Sequence, residues 1–297
     1  MGDVTIGLLH PGEMGAAVGQ CLAGAGYRVL WVPEGRSAAT RERADAAGLA
    51  GCGLAEMVGR SDLIMSVCPP AAALDVARLV SGFGAIYLDA NAISPATAGR
   101  VAGIVEADGA SYVDGGIIGT PPVTPGFIRL YLSGPRAGEV RALFDGSPVD
   151  ARVVDHETGV ESGAGAGVGA ASAVKMAYAS WTKGTAALLL AARALARAEG
   201  VESDLLAEWG ISQPGLDERS ARAAESATAK GWRWIAEMEE IAATMAAAGL
   251  PEGFHQAAAE IYRRFSPADR AGEEAGLDAL VRKSLPGSQQ GPRRSDR

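Results

Sequence analysis

The segment His10-Pro11-Gly12-Glu13-Met14-Gly15 constrains this chain more than any other, because of what flanks it. An apolar run, Val4 to Leu9, precedes it and an alanine-rich helical stretch follows, so the segment joins a buried strand to a helix. Glycines in such a turn let the backbone approach a phosphate at the helix N-terminus, where unpaired N–H groups favour an anion. Gly12 and Gly15 hold two of the three glycine positions of a dinucleotide-binding turn, and His10 stands in the first. Pro11, Gly12, Glu13, Met14 and Gly15 are therefore the expected pyrophosphate cradle.

The rest of the first half supports a strand-turn-helix unit. Val29 to Val32, Leu63 to Cys68, Ile86 to Asp89, Tyr112 to Val113 and Leu130 to Leu132 read as further short buried strands, with helical segments between the early ones. That alternation predicts an α/β fold with a doubly wound, mainly parallel sheet of Rossmann type. Punctuation agrees: Gly26 closes the first helix, and Ser94-Pro95 supplies an N-cap followed by proline at the first helical position.

From about Ala164 the chain turns to alanine, leucine and paired charges. Helices are expected near Val168 to Glu199, Gly215 to Lys230, Trp232 to Ala248 and Glu252 to Phe265, which makes the second half all-helical. At ~1.5 Å per residue the first of these spans ~48 Å, long enough to link domains and support a homodimer. The glycine run Gly163 to Gly169 marks the junction. The expected organisation is thus a dinucleotide-binding domain over 1–162, a helical substrate and dimerisation domain over 163–283, and a disordered polar tail over 284–297.

Composition narrows the partners. The 297 residues are 48% apolar and 21% charged, with a formal net charge of −8 and no basic cluster beyond Arg293-Arg294, so nucleic acid is set aside as a partner. No apolar run reaches membrane length and none reads as a signal segment, so residence in the cytoplasm, without a membrane partner, is expected. Cys21, Cys52 and Cys68 lack metal-type spacing and read as buried thiols, with no metal site.

In an open parallel sheet ligands gather beyond the carboxyl ends of the strands. Beyond three of them stand Cys68-Pro69-Pro70, Asp89-Ala90-Asn91-Ala92-Ile93-Ser94-Pro95 and Asp114-Gly115-Gly116-Ile117-Ile118-Gly119. In order, with the Met14-Gly15 turn and Gly169-Ala170-Ala171-Ser172-Ala173-Val174-Lys175, these segments resemble the β-hydroxyacid dehydrogenase and 6-phosphogluconate dehydrogenase superfamily across most of the chain. The C-terminal half resembles the branch whose second domain has no assigned function.

The resemblance implies a nicotinamide cofactor, a substrate segment at Asp89 to Pro95 in which Asn91 and Ser94 take part, and a catalytic lysine at Lys175. On its own chemistry, a lysine partly desolvated in a cleft can remove or return a hydroxyl proton near neutral pH. Ser172, Lys175, Tyr178 and Thr182 recur at helical spacing and define one polar face, turned either to a ligand or to water. Tyr178 replaces the family's asparagine and either orients substrate or packs. Gly115, Gly116 and Ile117 would bring backbone amides to the substrate, and Trp234 and Glu237 would line its pocket. Glu237, Glu239 and Glu240 read either as a solvated face or as a patch repelling a simple carboxylate or phosphate.

Cofactor preference turns on the loop after the second strand. Glu34 stands near the distance of a ribose acid, whereas Arg36, Ser37 and Arg41 suit an added phosphate. Together these point to NADP(H), with NAD the alternative, and to Cys68, Pro69, Pro70 and Asn91 bordering the nicotinamide. The expected activity is hydride transfer between nicotinamide and a small hydroxy or oxo compound, the proton moving at Lys175. Reduction of a carbon–nitrogen double bond and a non-catalytic NADP(H)-binding role remain as alternatives.

Overall fold

The computed structural model describes residues 4–121, 124–154 and 167–265, together with Leu280. The chain divides into two compact units, with the boundary between Ala177 and Tyr178. The division expected at 162/163 and the tail expected from Ser284 lie outside the described residues. Among the described residues no helix is long and apolar enough to cross a membrane, and no cluster of metal-ligating side chains occurs.

The first unit alternates strand and helix as β1 (Thr5–Leu9), α1 (Glu13–Gly24), β2 (Arg28–Trp31), α2 (Ala38–Ala46), β3 (Ala50–Gly51), α3 (Leu54–Arg60) and β4 (Leu63–Ser66). It continues with α4 (Ala73–Leu79), β5 (Ile86–Asp89), α5 (Pro95–Ala107), β6 (Ser111–Ile118), β7 (Ile128–Ser133), α6 (Ala137–Ala142) and β8 (Val149–Val153). The strands form one sheet in the order β3-β2-β1-β4-β5-β6-β7-β8. Every pairing is parallel except β6 with β7. The strand order reverses between β1 and β4, the place where such sheets open a crevice for ligands.

Side-chain alternation builds two cores, one on each face. Ile6, Leu8, Leu63, Met65 and Leu88 pack with α1 residues Ala16, Val18 and Leu22 and with Val140 of α6. Leu9, Ile64, Tyr87 and Tyr112 point the other way, onto Met57 of α3, Val76 of α4 and Val101 and Val105 of α5. A sheet covered on both faces reads as continuous apolar runs, which is why these strands were visible in the sequence.

The structure lengthens one expected strand. Tyr112 to Val113 reads as a strand that stops before two glycines, which weaken strands. In fact β6 runs on to Ile118, because where its parallel ladder with β5 ends at Asp114 an antiparallel ladder with β7 takes over through Ile118. Gly115, Gly116 and Ile117 therefore lie within a strand rather than in the loop after one. Two edge strands went unread: β3 is only two residues long, whereas β8 alternates strictly as Val149-Asp150-Ala151-Arg152-Val153 and was missed.

α7 (Ala170–Ala198) begins in the first unit and crosses the boundary into the second, which continues with α8 (Glu202–Ser212), α9 (Leu216–Lys230), α10 (Trp234–Ala247) and α11 (Gly253–Arg263). All described elements after Tyr178 are helical, as expected, and α8 is the one the sequence reading lacked. Within this unit α10 packs on α11, and Trp234 meets Tyr262 edge to face at 5.0 Å.

Candidate functional site

The β1–α1 turn holds its shape without the first glycine. His10 is the one described non-glycine residue with a left-handed backbone, φ 66°, so the histidine follows the path glycine usually takes. This turns its carbonyl back, where Gly12 N donates to it at 2.8 Å. A Cβ on Gly15 would lie 2.5 Å from the same oxygen, so Gly15 serves the close approach of α1 to β1 and presents no open side to a ligand. Gly12 differs: nothing lies within 4 Å of where its Cβ would be, and α1 has no side-chain cap there. Pro11 is buried, Met14 packs partly against the core and Glu13 is exposed in the first helical turn. Gly12 and the uncapped end of α1 thus leave an open corner of the kind that suits an anion.

Beside this corner, burial and the Arg36 guanidinium push the His10 imidazole down to a pKa of about 4, so it is neutral at pH 7. Its Nδ1 is buried with no hydrogen-bond partner. Arg36 is half-buried and Glu34 exposed. The Ser37 hydroxyl caps α2, accepting from Thr40 N at 3.3 Å, and Arg41 Nε donates to the Arg36 carbonyl at 3.3 Å.

Across four strands the register lines up one buried polar row. Ser66 pairs with Asp89, Asp89 with Asp114, and Asp114 with Ser133, all 2% exposed or less. One half of the row organises loops. Asn91 Oδ1 accepts from Cys68 N at 2.6 Å, Asn91 Nδ2 donates to Ser66 Oγ at 3.1 Å, and Asn91 N donates to Asp89 Oδ1 at 2.9 Å. Asn91, 2% exposed, thus brackets the loops after β4 and β5 instead of presenting its amide to a ligand. Burial pushes the Cys68 thiol up to about 12, Pro69 is exposed, and Pro70 opens a short 3₁₀ turn. The Ser94 hydroxyl caps α5, accepting from Thr97 N at 3.2 Å.

The other half of the row receives α7. Asp114 Oδ2 accepts from Ser172 N at 2.8 Å and from Ser133 Oγ at 3.1 Å, and its Oδ1 accepts from Ser172 Oγ at 2.6 Å. Burial pushes the Asp114 carboxyl above its ordinary range, against the opposing pull of these bonds. A Cβ on Gly116 would lie 2.7 Å from the Ala171 carbonyl and 3.0 Å from Lys175 Cβ. That glycine makes room for α7, and a Cβ on Gly115 would likewise lie 2.8 Å from the Asp89 carbonyl, so both serve close packing. One turn along α7, partly buried Lys175 sends Nζ to the Ile117 carbonyl at 2.9 Å. An ammonium so held can deliver or accept a proton at a substrate oxygen.

The expected residues of the second unit have their own surroundings. Tyr178 is 46% exposed, and Thr182 Oγ1 bonds back to the Tyr178 carbonyl at 3.2 Å. The polar stripe from Ser172 to Thr182 is therefore not one face of uniform character, since Ser172 is fully buried and Tyr178 is not. Glu237 is buried and ion-paired to Lys183, which also lies 5.7 Å over the Trp234 ring. Glu239 pairs with Arg263. Glu237 is thereby matched by a cation, and the repulsion of anionic substrates expected from it is removed. His255 is buried, with Nε2 3.5 Å from the Ser180 carbonyl.

Comparisons with known proteins agree with this geometry. Residues 196–265 match the family model described as a domain of unknown function, DUF1932. The conserved protein MTH1747, of unknown function and described as structurally similar to 3-hydroxyacid dehydrogenases, is 25% identical with a TM-score of 0.64, over 93% of this chain and 99% of its own. The present chain has the 3-hydroxyacid dehydrogenase fold, with a DUF1932 domain in its C-terminal part. 3-Hydroxyisobutyrate dehydrogenase from Salmonella typhimurium shares this fold at 18% identity and a TM-score of 0.65, covering 93% of this chain and 99% of that one. A reductive aminase from Aspergillus terreus, solved with NADPH and ethyl levulinate, shares it at 22% identity and a TM-score of 0.53, covering 94% of this chain and 99% of that one. No curated protein sequence matches the chain.

Within this β-hydroxyacid dehydrogenase-like fold, the sequence reading gave no role to Ser66, Asp114 or Ser133, nor to Lys183, which precedes the DUF1932 match. A signal for Asp114 was present: β5 ends in Tyr87-Leu88-Asp89 and the stretch of β6 that runs parallel to it ends in Tyr112-Val113-Asp114, each a tyrosine, an apolar residue and aspartate. Strand periodicity puts each tyrosine and aspartate on one face, and the repeat marks adjacent strands in register.

Proposed function

We propose that the protein is an NADP(H)-dependent oxidoreductase that interconverts a small hydroxy and oxo compound, with Lys175 moving the proton at the substrate oxygen. The observation that carries this reading is the placement of Lys175 Nζ, partly buried and directed at the Ile117 carbonyl beside the carboxyl ends of β5 and β6. The residues present fit a dinucleotide. The uncapped α1 terminus has an open approach at Gly12, and His10 Nδ1 is a buried polar atom without a partner. Gly12, Glu13 and Met14 would hold the pyrophosphate through their main chain, and Arg36 the added phosphate of NADP. Pro69, exposed beyond β4, would border the nicotinamide. When bound, the nicotinamide supplies the hydride chemistry.

Lys175 gives its proton to the oxygen that gains electron density when a carbonyl is reduced, and takes one from the hydroxyl in the reverse direction. Ile117 O holds the ammonium in line for both. Carbonyl chemistry is favoured over carbon–nitrogen reduction because the lysine suited to an oxygen substrate is in place. Tyr178, Thr182 and Trp234 are proposed to act on the substrate. The homodimer remains part of this reading: Trp181, Leu188 and Leu195 stand exposed at seven-residue intervals on α7, and light scattering should give twice the chain mass.

The test is oxidation of NADPH by purified protein against a panel of small oxo acids, aldehydes and cyclic imines. Turnover is expected with oxo compounds and should fall at least 100-fold in Lys175→Ala, within the range general acid–base catalysis contributes, roughly 10²–10⁴. Undiminished turnover in that variant would remove the role given to Lys175.

A further inference from the structure

We propose that Asp114 is the positioning residue for Lys175: it fixes the first turn of α7 on β6 and thereby holds the lysine ammonium at the Ile117 carbonyl. The proposal deepens the proton-transfer reading of Lys175 and rests on it for its functional meaning.

A helix must satisfy the first N–H groups that have no partner in its own ladder, usually with an N-cap side chain. α7 is entered through glycines, Gly167 and Gly169 at φ 88° and 89°, which have no side chain to offer. Sheet residues take over: Ser133 Oγ accepts from Ala171 N at 3.0 Å and Asp114 from Ser172 N at 2.8 Å. The direction in which α7 leaves the sheet is therefore set by β6 and β7 rather than by the helix's own cap.

Three consecutive features of β6 act on this helix in order. Asp114 grips Ser172 at both its amide and its hydroxyl, Gly116 lets Ala171 and Lys175 close on the strand, and Ile117 receives the ammonium. Asp114 and Gly116 share one face of β6, and Ser172 and Lys175 lie within one turn of α7. The carboxylate is the right group for the grip. Ser172 N, Ser172 Oγ and Ser133 Oγ all donate into it, and an ionised carboxyl is acceptor-only at both oxygens. Removing the side chain, as in Asp114→Ala, leaves all three donors without their acceptor, whereas an asparagine could keep the grip by donating its Nδ2 to the Ser172 hydroxyl.

The experiment uses the whole chain, which has four lysines, Lys175, Lys183, Lys230 and Lys283. Limiting acetic anhydride is added to the native protein and to Asp114→Ala, Ser172→Ala and Ser172→Thr, and each lysine's acetylation is read by peptide mass spectrometry. Circular dichroism reports whether each variant is folded. Lys175 labelling should rise severalfold in Asp114→Ala and Ser172→Ala relative to Lys183 and Lys230, and stay at the parental level in Ser172→Thr, which keeps the hydroxyl. In NADPH turnover, kcat should fall in the first two variants while the KM for NADPH holds. Parental labelling of Lys175 in folded Asp114→Ala, or in Ser172→Ala should the former not fold, overturns the proposal. Labelling needs no turnover, so an inactive protein or an active Lys175→Ala would count against the proposed function and leave the positioning result readable.

Discussion

Asp89 and Asp114 sit side by side in register on β5 and β6, yet their surroundings divide them. Three donors converge on Asp114, whereas the hydrogen bonds to Asp89 come from Asn91, and among the described residues the Asp89 Oδ2 is buried without a partner. Burial first, and the Asp114 charge after it, raise Asp89 to about 7, so both its protonated and its ionised forms are populated near neutrality. An unfolded aspartate titrates near ~3.9, so between there and about 7 the folded chain binds more protons than the unfolded one. Stability contributed by Asp89 is therefore present at low pH and lost as pH rises toward 7. Asp89→Asn keeps an acceptor for Asn91 N and removes the titration. Denaturation at pH 5 and pH 8 should show the variant gaining on the parent at the higher pH, and parallel losses in both would refute the assignment. His10 acts in the opposite sense: its lowered pKa, about 4 against 6.5, withdraws stability as pH falls through that interval.

Elements meet here through positions that tolerate no side chain. A methyl on Gly15 would collide with the His10 carbonyl at 2.5 Å, and one on Gly116 with the Ala171 carbonyl at 2.7 Å. In both cases the obstacle is backbone, which cannot rotate away. Gly15→Ala and Gly116→Ala should each cost about 1–3 kcal/mol in urea unfolding, as overpacking does. Gly116→Ala should also lower turnover, since it displaces α7 at Lys175. Truncating a cap belongs to the same scale: Ser94→Ala removes the acceptor for Thr97 N and should cost about 1 kcal/mol. The sequence showed the elements well where apolar periodicity was strong, as in Ile86–Asp89 and α9. It misled at Gly115-Gly116, because a glycine pair reads as a strand end when its partner helix, α7, lies more than 50 residues away and cannot be seen.

For the molecule as a whole, the alternation of strand and helix was legible because it is written locally, and it specifies a doubly wound, mainly parallel sheet. The polar row Ser66, Asp89, Asp114 and Ser133 was not, because four strands each contribute one residue and only register brings them together. Binding of an intact dinucleotide is the measurement at this scale. NADPH should raise the melting temperature of the chain by mass action, and Arg36→Ala should shrink that gain while leaving the smaller one with NADH unchanged. Equal loss with both coenzymes would remove the preference for NADP. The bend at His10 offers a separate handle on the same binding site. A glycine at that point would keep the left-handed path and delete the imidazole, whereas an alanine would delete the imidazole and retain the conformational burden. Comparing the two substitutions thus reads the contour of the loop and the chemistry of its ring as independent variables.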